Sequence, residues 1–396
     1  MSAGTAGFAK AGEVYQKVRT LRSSGRVSLD PEPERPEFAE IALAKSKIKF
    51  LRDAKGAIAL QVTSVGGASL LQIGVSLDGA RLEFWPLRGM NMSPAPEAPM
   101  VPVILVSDRE QLFGRACPKC KAYFRTANIA EVICCPYCSI RAPLIQFTTQ
   151  NQLRFIDEVR KKYVEGFRGD KLEEIDLDAI AQALPDNRPS WAYSEELQQH
   201  CFDCENCGNR FDILGEYGCC PVCGKRNSLQ VVMSYLNAAQ AQFESANTAI
   251  TDRQDREIEW EKMTKCISDF EAMARDIQKQ LARLPLTPVR RKEVEQISFQ
   301  RILKADELLR EFFAIELLKG VADADREFAN KMFNRRHILT HNGGRVDQEY
   351  LERTCDSGVR LNQKIVVRSR EIARLIPLLK KAAINLFEGY ESLTSV

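Results

Sequence analysis

Only three histidines occur among 396 residues, so imidazole chemistry has few places to sit. No apolar run approaches the roughly 18 residues needed to span a bilayer. The opening MSAGTAGFAKAGEVYQKVRT lacks the apolar stretch of a signal peptide. These absences predict a protein with no membrane partner, residing in the cytoplasm, where thiols stay free or hold metal. There is no Gly-x4-Gly-Lys-Ser/Thr loop, no Rossmann glycine pattern, no Gly-x-Ser-x-Gly and no His-Glu-x2-His. Nucleotide hydrolysis, serine hydrolysis and metalloprotease chemistry therefore find no support. A charge excess is missing as well: a net charge of +3 is too mild to argue for nucleic acid by itself.

What the chain does have is cysteine. Thirteen are present, an odd number that argues against a closed disulfide framework, and only Cys266 and Cys355 stand outside two short clusters. The first cluster reads CPKCKAYF and then CCPYC; the second reads CENCGNRF and then CCPVC. Each is a Cys-x2-Cys turn, an aromatic four residues on (Phe124, Phe211), and a Cys-Cys-Pro-x-Cys return, with 14 and 12 residues between the pairs. A Cys-x2-Cys turn aims two thiolates at one point, and two such turns complete a tetrahedron around zinc. The expected ligands are Cys117, Cys120, Cys135 and Cys138 for one Zn2+, and Cys204, Cys207, Cys220 and Cys223 for a second. Four thiolates leave no open coordination position, so both ions are expected to be structural. An iron–sulfur site is the competing use of these ligands. Cys134, Cys201 and Cys219 remain as possible replacements, and His200 as a possible fourth ligand of the second site. Lys119, Lys121, Arg125, Lys225 and Arg226 lie on or near the knuckles, where they either meet phosphates or serve as solvated surface charge.

Hydrophobic residues make up 44% and charged residues 28%, an ordinary globular balance, and the length suggests several domains. Residues 1–37, Gly/Ser/Ala-rich and then Pro/Glu-rich, read as a mobile leader. Residues 38–112 form a β-rich module with strands in AIALQVTS, SLLQIGVSL, ARLEFWPL and VPVILVS, and a Pro-rich loop NMSPAPEAPMVP. The first ribbon occupies 113–143. A helical insert follows over 144–200, patterned through 151–184 and broken at PDNRPSW; the second ribbon occupies 201–230. Residues 231–288 read as a long helical connector and 289–396 as a helical bundle. Thr287-Pro288 is an N-cap followed by proline at the first helical position. A helix is expected over about 289–319 with Gly320 as its stop, another over 323–341 ending at Asn342-Gly343-Gly344, and a last one over 359–391 kinked at Pro377.

Two of the three histidines stand together in FNRRHILTHNGGRVDQEYL. His337 and His341 are four apart and share a helix face. The run Arg336-His337-Ile338-Leu339-Thr340-His341, set near a helix end in an all-helical region, resembles the HEPN superfamily signature of arginine, a polar residue, three residues and histidine. The resemblance covers about residues 290–396. It implies a homodimer in which two motifs face each other and, in many members, metal-independent cleavage of RNA. It implies His341 as acid/base, Arg336 as clamp on the phosphate and His337 as an orienting or second polar group, with a 2′,3′-cyclic phosphate and a 5′-hydroxyl as product ends. Between 359 and 381 seven cations face one acidic residue, and Arg360, Lys364 and Arg368 recur every four residues, which on a helix forms one ridge. That ridge suits a phosphate backbone, or pairing with the acidic helix around Glu257, Glu259 and Glu261.

The expected whole is an α+β multi-domain protein: a small β-rich N-terminal module, two zinc ribbons and a C-terminal all-α, HEPN-like bundle. The functional expectation is an RNA-cleaving effector whose front half senses a protein trigger or selects a target, in the manner of a toxin or anti-phage defence protein. The alternative is a non-catalytic adaptor binding nucleic acid or protein.

Overall fold

The computed structural model describes residues 47–52, 58–63, 70–85, 100–107, 110–127, 130–167, 174–176, 180, 199–245 and 253–394. The expected leader, residues 91–99 of the Pro-rich loop and the PDNRPSW break lie outside the described residues. The architecture is α+β, with sheets in the N-terminal part, two four-cysteine clusters and a C-terminal helical region.

β1 (Lys47–Arg52) pairs antiparallel with β2 (Ile58–Thr63). β3 (Leu70–Ser76) is flanked by β4 (Leu82–Trp85) and β5 (Met100–Val106). Its alternating Leu71, Ile73 and Val75 stand opposite Leu105, Val103 and Val101, and all six are buried. That period-two pattern is why these segments are strands with one core face.

The first cluster lies on β6 (Phe113–Ala116), β7 (Tyr123–Thr126), β8 (Val132–Cys134) and β9 (Arg141–Pro143). α1 (Gln150–Phe167) follows. Thr149 and Gln152 cap it reciprocally: the Gln152 N–H donates to Thr149 Oγ1 at 3.1 Å and the Thr149 N–H to Gln152 Oε1 at 3.0 Å. Gln152 Nε2 also donates to the Gly114 carbonyl, tying the helix to β6. Phe155, Ile156, Val159 and Tyr163 form its buried stripe. The helical pattern expected through residue 184 gives way to β10 (Glu174–Asp176), which pairs with β1. The second cluster lies on β11 (Gln199–Asp203) and β12 (Arg210–Leu214).

Helices then dominate: α2 (Ser228–Ser245), α3 (Arg253–Leu281), α4 (Pro288–Glu295), α5 (Ile302–Phe313), α6 (Asp323–Asn342), α7 (Gln348–Thr354) and α8 (Ser369–Thr394). Residues 231–245 and 253–288, the described part of the expected connector, contribute to the bundle's core. Val232 and Leu236 of α2 and Met263, Ile267, Phe270 and Ile277 of α3 share one core with Met332 and Phe333 of α6 and with Leu375, Leu379 and Leu386 of α8.

Thr287 accepts the Arg290 N–H at 3.2 Å and Pro288 opens α4. Thr287→Ala is expected to lower the unfolding free energy by about 1 kcal/mol, read from urea denaturation; an unchanged midpoint would remove the cap from the account of this helix.

The helix expected over 289–319 is two helices. Gln278 of α3, buried in the core, donates through Nε2 to the carbonyls of Val294 and Ile297 at 2.7 and 2.9 Å. A side chain from another helix thus satisfies the carbonyls that a continuing helix would have used. α5 ends at Ala314 in the left-handed conformation (φ 56°), six residues before Gly320. α6 matches expectation: Gly343 is left-handed (φ 58°) and the Gly344 N–H reaches back to the Ile338 carbonyl at 3.0 Å.

The last helix starts ten residues later than its expected beginning. Residues 359–368 are turned and extended, joined to the chain after α6 by an Arg345–Lys364 antiparallel bridge, with the Ile365 N–H on the Gly344 carbonyl at 2.9 Å. Arg360, Lys364 and Arg368 therefore form no helical ridge. Instead Lys364, Val366 and Arg368 point outward while Ile365 and Val367 are buried, a strand alternation.

Candidate functional site

Four knuckles share one backbone design. In each, the N–H of the first cysteine bonds the carbonyl five residues on, and the N–H four residues on returns to the carbonyl of that cysteine. The pairs are Cys117–Ala122 and Lys121–Cys117, Cys135–Ile140 and Ser139–Cys135, Cys204–Asn209 and Gly208–Cys204, and Cys220–Lys225 and Gly224–Cys220. The residue after the second cysteine has positive φ every time: Lys121 62°, Ser139 59°, Gly208 69° and Gly224 79°. That conformation suits glycine, and the second cluster uses it twice.

The geometry fits a tetrahedral ion. Within Cys117, Cys120, Cys135 and Cys138, and again within Cys204, Cys207, Cys220 and Cys223, the Sγ atoms all lie within 4.8 Å of one another. Sγ–Sγ separations of 3.6 Å recur for Cys117–Cys138, Cys120–Cys135, Cys204–Cys223 and Cys207–Cys220. Zn–S bonds of about 2.3 Å give a tetrahedral edge of about 3.8 Å. Both sets can hold a zinc ion with no open position for a reactant.

The two ribbons are one body. β12 pairs with β7, giving the sheet order β11-β12-β7-β6 across both clusters. Asp212, buried, stands opposite Arg125 and receives its Nη2 at 2.6 Å. The Leu214 N–H donates to Tyr137 Oη at 2.8 Å, and Tyr137 Oη donates to the Tyr123 carbonyl at 3.0 Å. Phe124 and Phe211, the repeated aromatics, lie in the shared core. His200 and Cys201 sit on β11 outside the ligand sets; His200 stacks on Phe202 and Cys201 Sγ accepts from Arg210 Nε at 3.3 Å. The ribbons dock on the bundle through Arg226, whose Nη2 lies 2.8 Å from Asp276 Oδ1 on α3, and through Arg283 Nη1 on the Tyr137 carbonyl at 3.0 Å. Arg125 and Arg226 are thus occupied inside the protein, while Lys119 and Lys121 are exposed and Lys225 lies 3.9 Å from Glu391.

At the end of α6 the two histidines come together and the arginine does not join them. The His337 and His341 rings lie 4.6 Å apart, with His341 exposed and His337 half-buried. Burial depresses the His337 pKa, and the neighbouring His341 and Arg353 depress it further. Helical periodicity separates positions 337 and 341 by only about 40° but positions 336 and 341 by about 140°. Arg336 accordingly faces α3: its Nη2 is 3.5 Å from Glu271 Oε2 and 3.4 Å from Ser268 Oγ, and its side chain is 14% exposed.

Sequence reasoning missed Arg335. It is buried, with Nη1 2.8 Å from Glu371, Nη2 3.2 Å from Asp356 and Nε 3.2 Å from Tyr350 Oη, and that hydroxyl donates to Asp356 at 2.7 Å. The signal was present: Arg335 shares a face with Phe328, Met332 and Ile338, all buried.

The charged groups that act on His337, besides His341, are Arg353, Glu349 and Asp347, while the extended segment already described is joined to Gly344, Arg345 and Val346. Arg345, Arg360, Lys364, Arg368 and Arg370 are exposed and form no ion pair among the described residues, and Leu361 and Val366 are exposed with them. Arg374 pairs with Asp325 at 2.6 Å, and Glu259, buried on α3, pairs with Lys262 at 3.2 Å rather than with this segment.

No family model matches the chain, and no match was found among the curated proteins or the solved structures. Fold and site together define a protein with two four-cysteine clusters, each able to hold a metal ion, fused into one double ribbon and seated on a helical bundle. No helix among the described residues is long and apolar enough to cross a membrane.

Proposed function

We propose that this is an RNA-directed protein of HEPN type, a metal-independent endoribonuclease acting as a homodimer, with the double ribbon as its targeting or sensing part. The observation that carries this reading is the His337–His341 ring pair near the end of α6, with His341 exposed; Arg345, Arg360, Lys364, Arg368 and Arg370, exposed in the chain that follows, form no ion pair among the described residues. Depression of its pKa leaves His337 neutral near pH 7 and able to accept the 2′-hydroxyl proton. As the 2′-oxygen attacks phosphorus, the bond to the 5′-oxygen breaks, and His341 supplies the proton that oxygen needs. The cations of the extended segment take the backbone phosphates. In this reading Arg336 is a positioning residue that fixes the roll of α6 against α3.

A second reading, a non-catalytic adaptor, is favoured by one observation: the guanidinium assigned to transition-state charge is engaged by Glu271. Incubating the zinc-loaded protein with single-stranded RNA in buffer free of added divalent cations separates the two. The nuclease reading expects fragments with cyclic phosphate ends and a loss of rate of at least about 100-fold in His341→Ala. RNA bound but uncut by the wild type, or cut equally by His337→Ala and His341→Ala, would leave the adaptor.

A further inference from the structure

Two of the cysteines that the metal sites leave out meet each other. Cys134 and Cys219 hold the same place in the two repeats, directly before each Cys-Pro-x-Cys return. The returns lie against one another reciprocally: the Cys134 N–H donates to the Pro221 carbonyl at 2.6 Å, and the Cys219 N–H donates to the Pro136 carbonyl at 3.0 Å. Like residues bonding like residues in both directions place a local two-fold axis between the repeats. Across it the Sγ atoms of Cys134 and Cys219 are 3.4 Å apart, and both side chains are buried. Among the described residues the remaining cysteines outside the metal sets have no such neighbour: Cys201 contacts Arg210, Cys266 lies in the bundle core and Cys355 is exposed.

We propose that Cys134 and Cys219 form an oxidisable pair that a hydroperoxide converts to a disulfide, stapling one ribbon to the other across a separation of 85 residues. Two S–H bonds break and one S–S bond forms. The two protons and two electrons released reduce the O–O bond of the peroxide, giving two waters from hydrogen peroxide. Closure needs the sulfurs to approach from 3.4 Å to about 2.05 Å, a side-chain movement that costs the Cys219 Sγ contact with the Cys135 carbonyl at 3.0 Å. The eight ligand thiolates are shielded by metal when the sites are loaded, whereas this pair is not. The staple therefore retains the double ribbon when metal is withdrawn. Both cysteines are free in the structure.

The test uses the whole 396-residue, zinc-loaded chain. After hydrogen peroxide treatment the protein is quenched with N-ethylmaleimide in denaturant and digested, and its cross-linked peptides are mapped by mass spectrometry. The expected product is a single intramolecular Cys134–Cys219 link with both zinc ions retained. In chelator, the oxidised protein should unfold roughly 10 °C above the reduced protein, a shift absent from Cys219→Ala. Recovery of both residues alkylated after Cys201 and Cys355 have been oxidised would overturn the proposal. So would links found only among the eight ligands together with zinc release. Mapping on the wild type stands whether or not the variant folds.

Discussion

Cys220→Ser is expected to reduce bound zinc from two ions per chain to one, to unfold the second ribbon and to weaken the first. A closed four-thiolate site contributes on the order of 10 kcal/mol to the folding of its domain, about as much as the whole net stability of an ordinary domain. The second ribbon's own apolar core is small: Phe211 and Ile213 are its main core residues, and both depend on β12 keeping its place. The weakening of the first ribbon follows from the shared sheet. Loss of β12 leaves β7 paired on one side only, by β6, leaves Arg125 without Asp212, and removes the Pro221 carbonyl from the Cys134 N–H. The bundle keeps its own core and should hold its helical circular dichroism. A chromophoric chelator titration of zinc per chain, with dissociation rates, checks this. Two ions retained at wild-type rates in Cys220→Ser would mean that another group, Cys219 or Cys201, had taken the vacated position.

Legibility in the sequence followed the range of the interactions that decide each element. The eight metal-set cysteines stood out because the four knuckles are local designs, each closed within six residues. The strands from β2 to β5 stood out because alternation is local as well, and the Gly343-Gly344 stop because a left-handed turn demands its residue type. The break between α4 and α5 was not legible: Gln278, distant in sequence, decides it. Residues 359–368 misled because cations at every fourth position suggest a helix, while the informative signal was the alternation of Ile365 and Val367 with Lys364, Val366 and Arg368. Pairing of the two ribbons into one sheet was also hidden, since nothing in either repeat says that β12 will choose β7. In the candidate site, the closeness of the two histidines follows from helix geometry, but the direction of Arg336 depends on a carboxylate from α3.

The adjacent arginines are expected to fail in different ways. Arg335 holds two carboxylates and a tyrosine hydroxyl in the interior, so Arg335→Ala strands Asp356 and Glu371 and is expected to cost about 3–5 kcal/mol. Arg336→Ala is expected to cost less, about 2 kcal/mol near pH 8, because its contact with Glu271 is longer and Arg275 also reaches that carboxylate, at 3.4 Å. The pH dependence identifies the partner. Burial raises the Glu271 pKa above 4.5 while Arg336 and Arg275 pull it down. Removing Arg336 raises it further, so the folded state holds the proton more tightly than the unfolded state. Stability then falls as pH rises from the unfolded value through the folded one. The deficit of Arg336→Ala should therefore be smaller at pH 5 than at pH 8, as read from urea denaturation at both. A deficit independent of pH would detach Arg336 from Glu271. Loss of RNA cleavage with stability intact at both pH values would instead put the guanidinium in the cleft with His341, and the nuclease reading would then need no reassignment of the phosphate clamp.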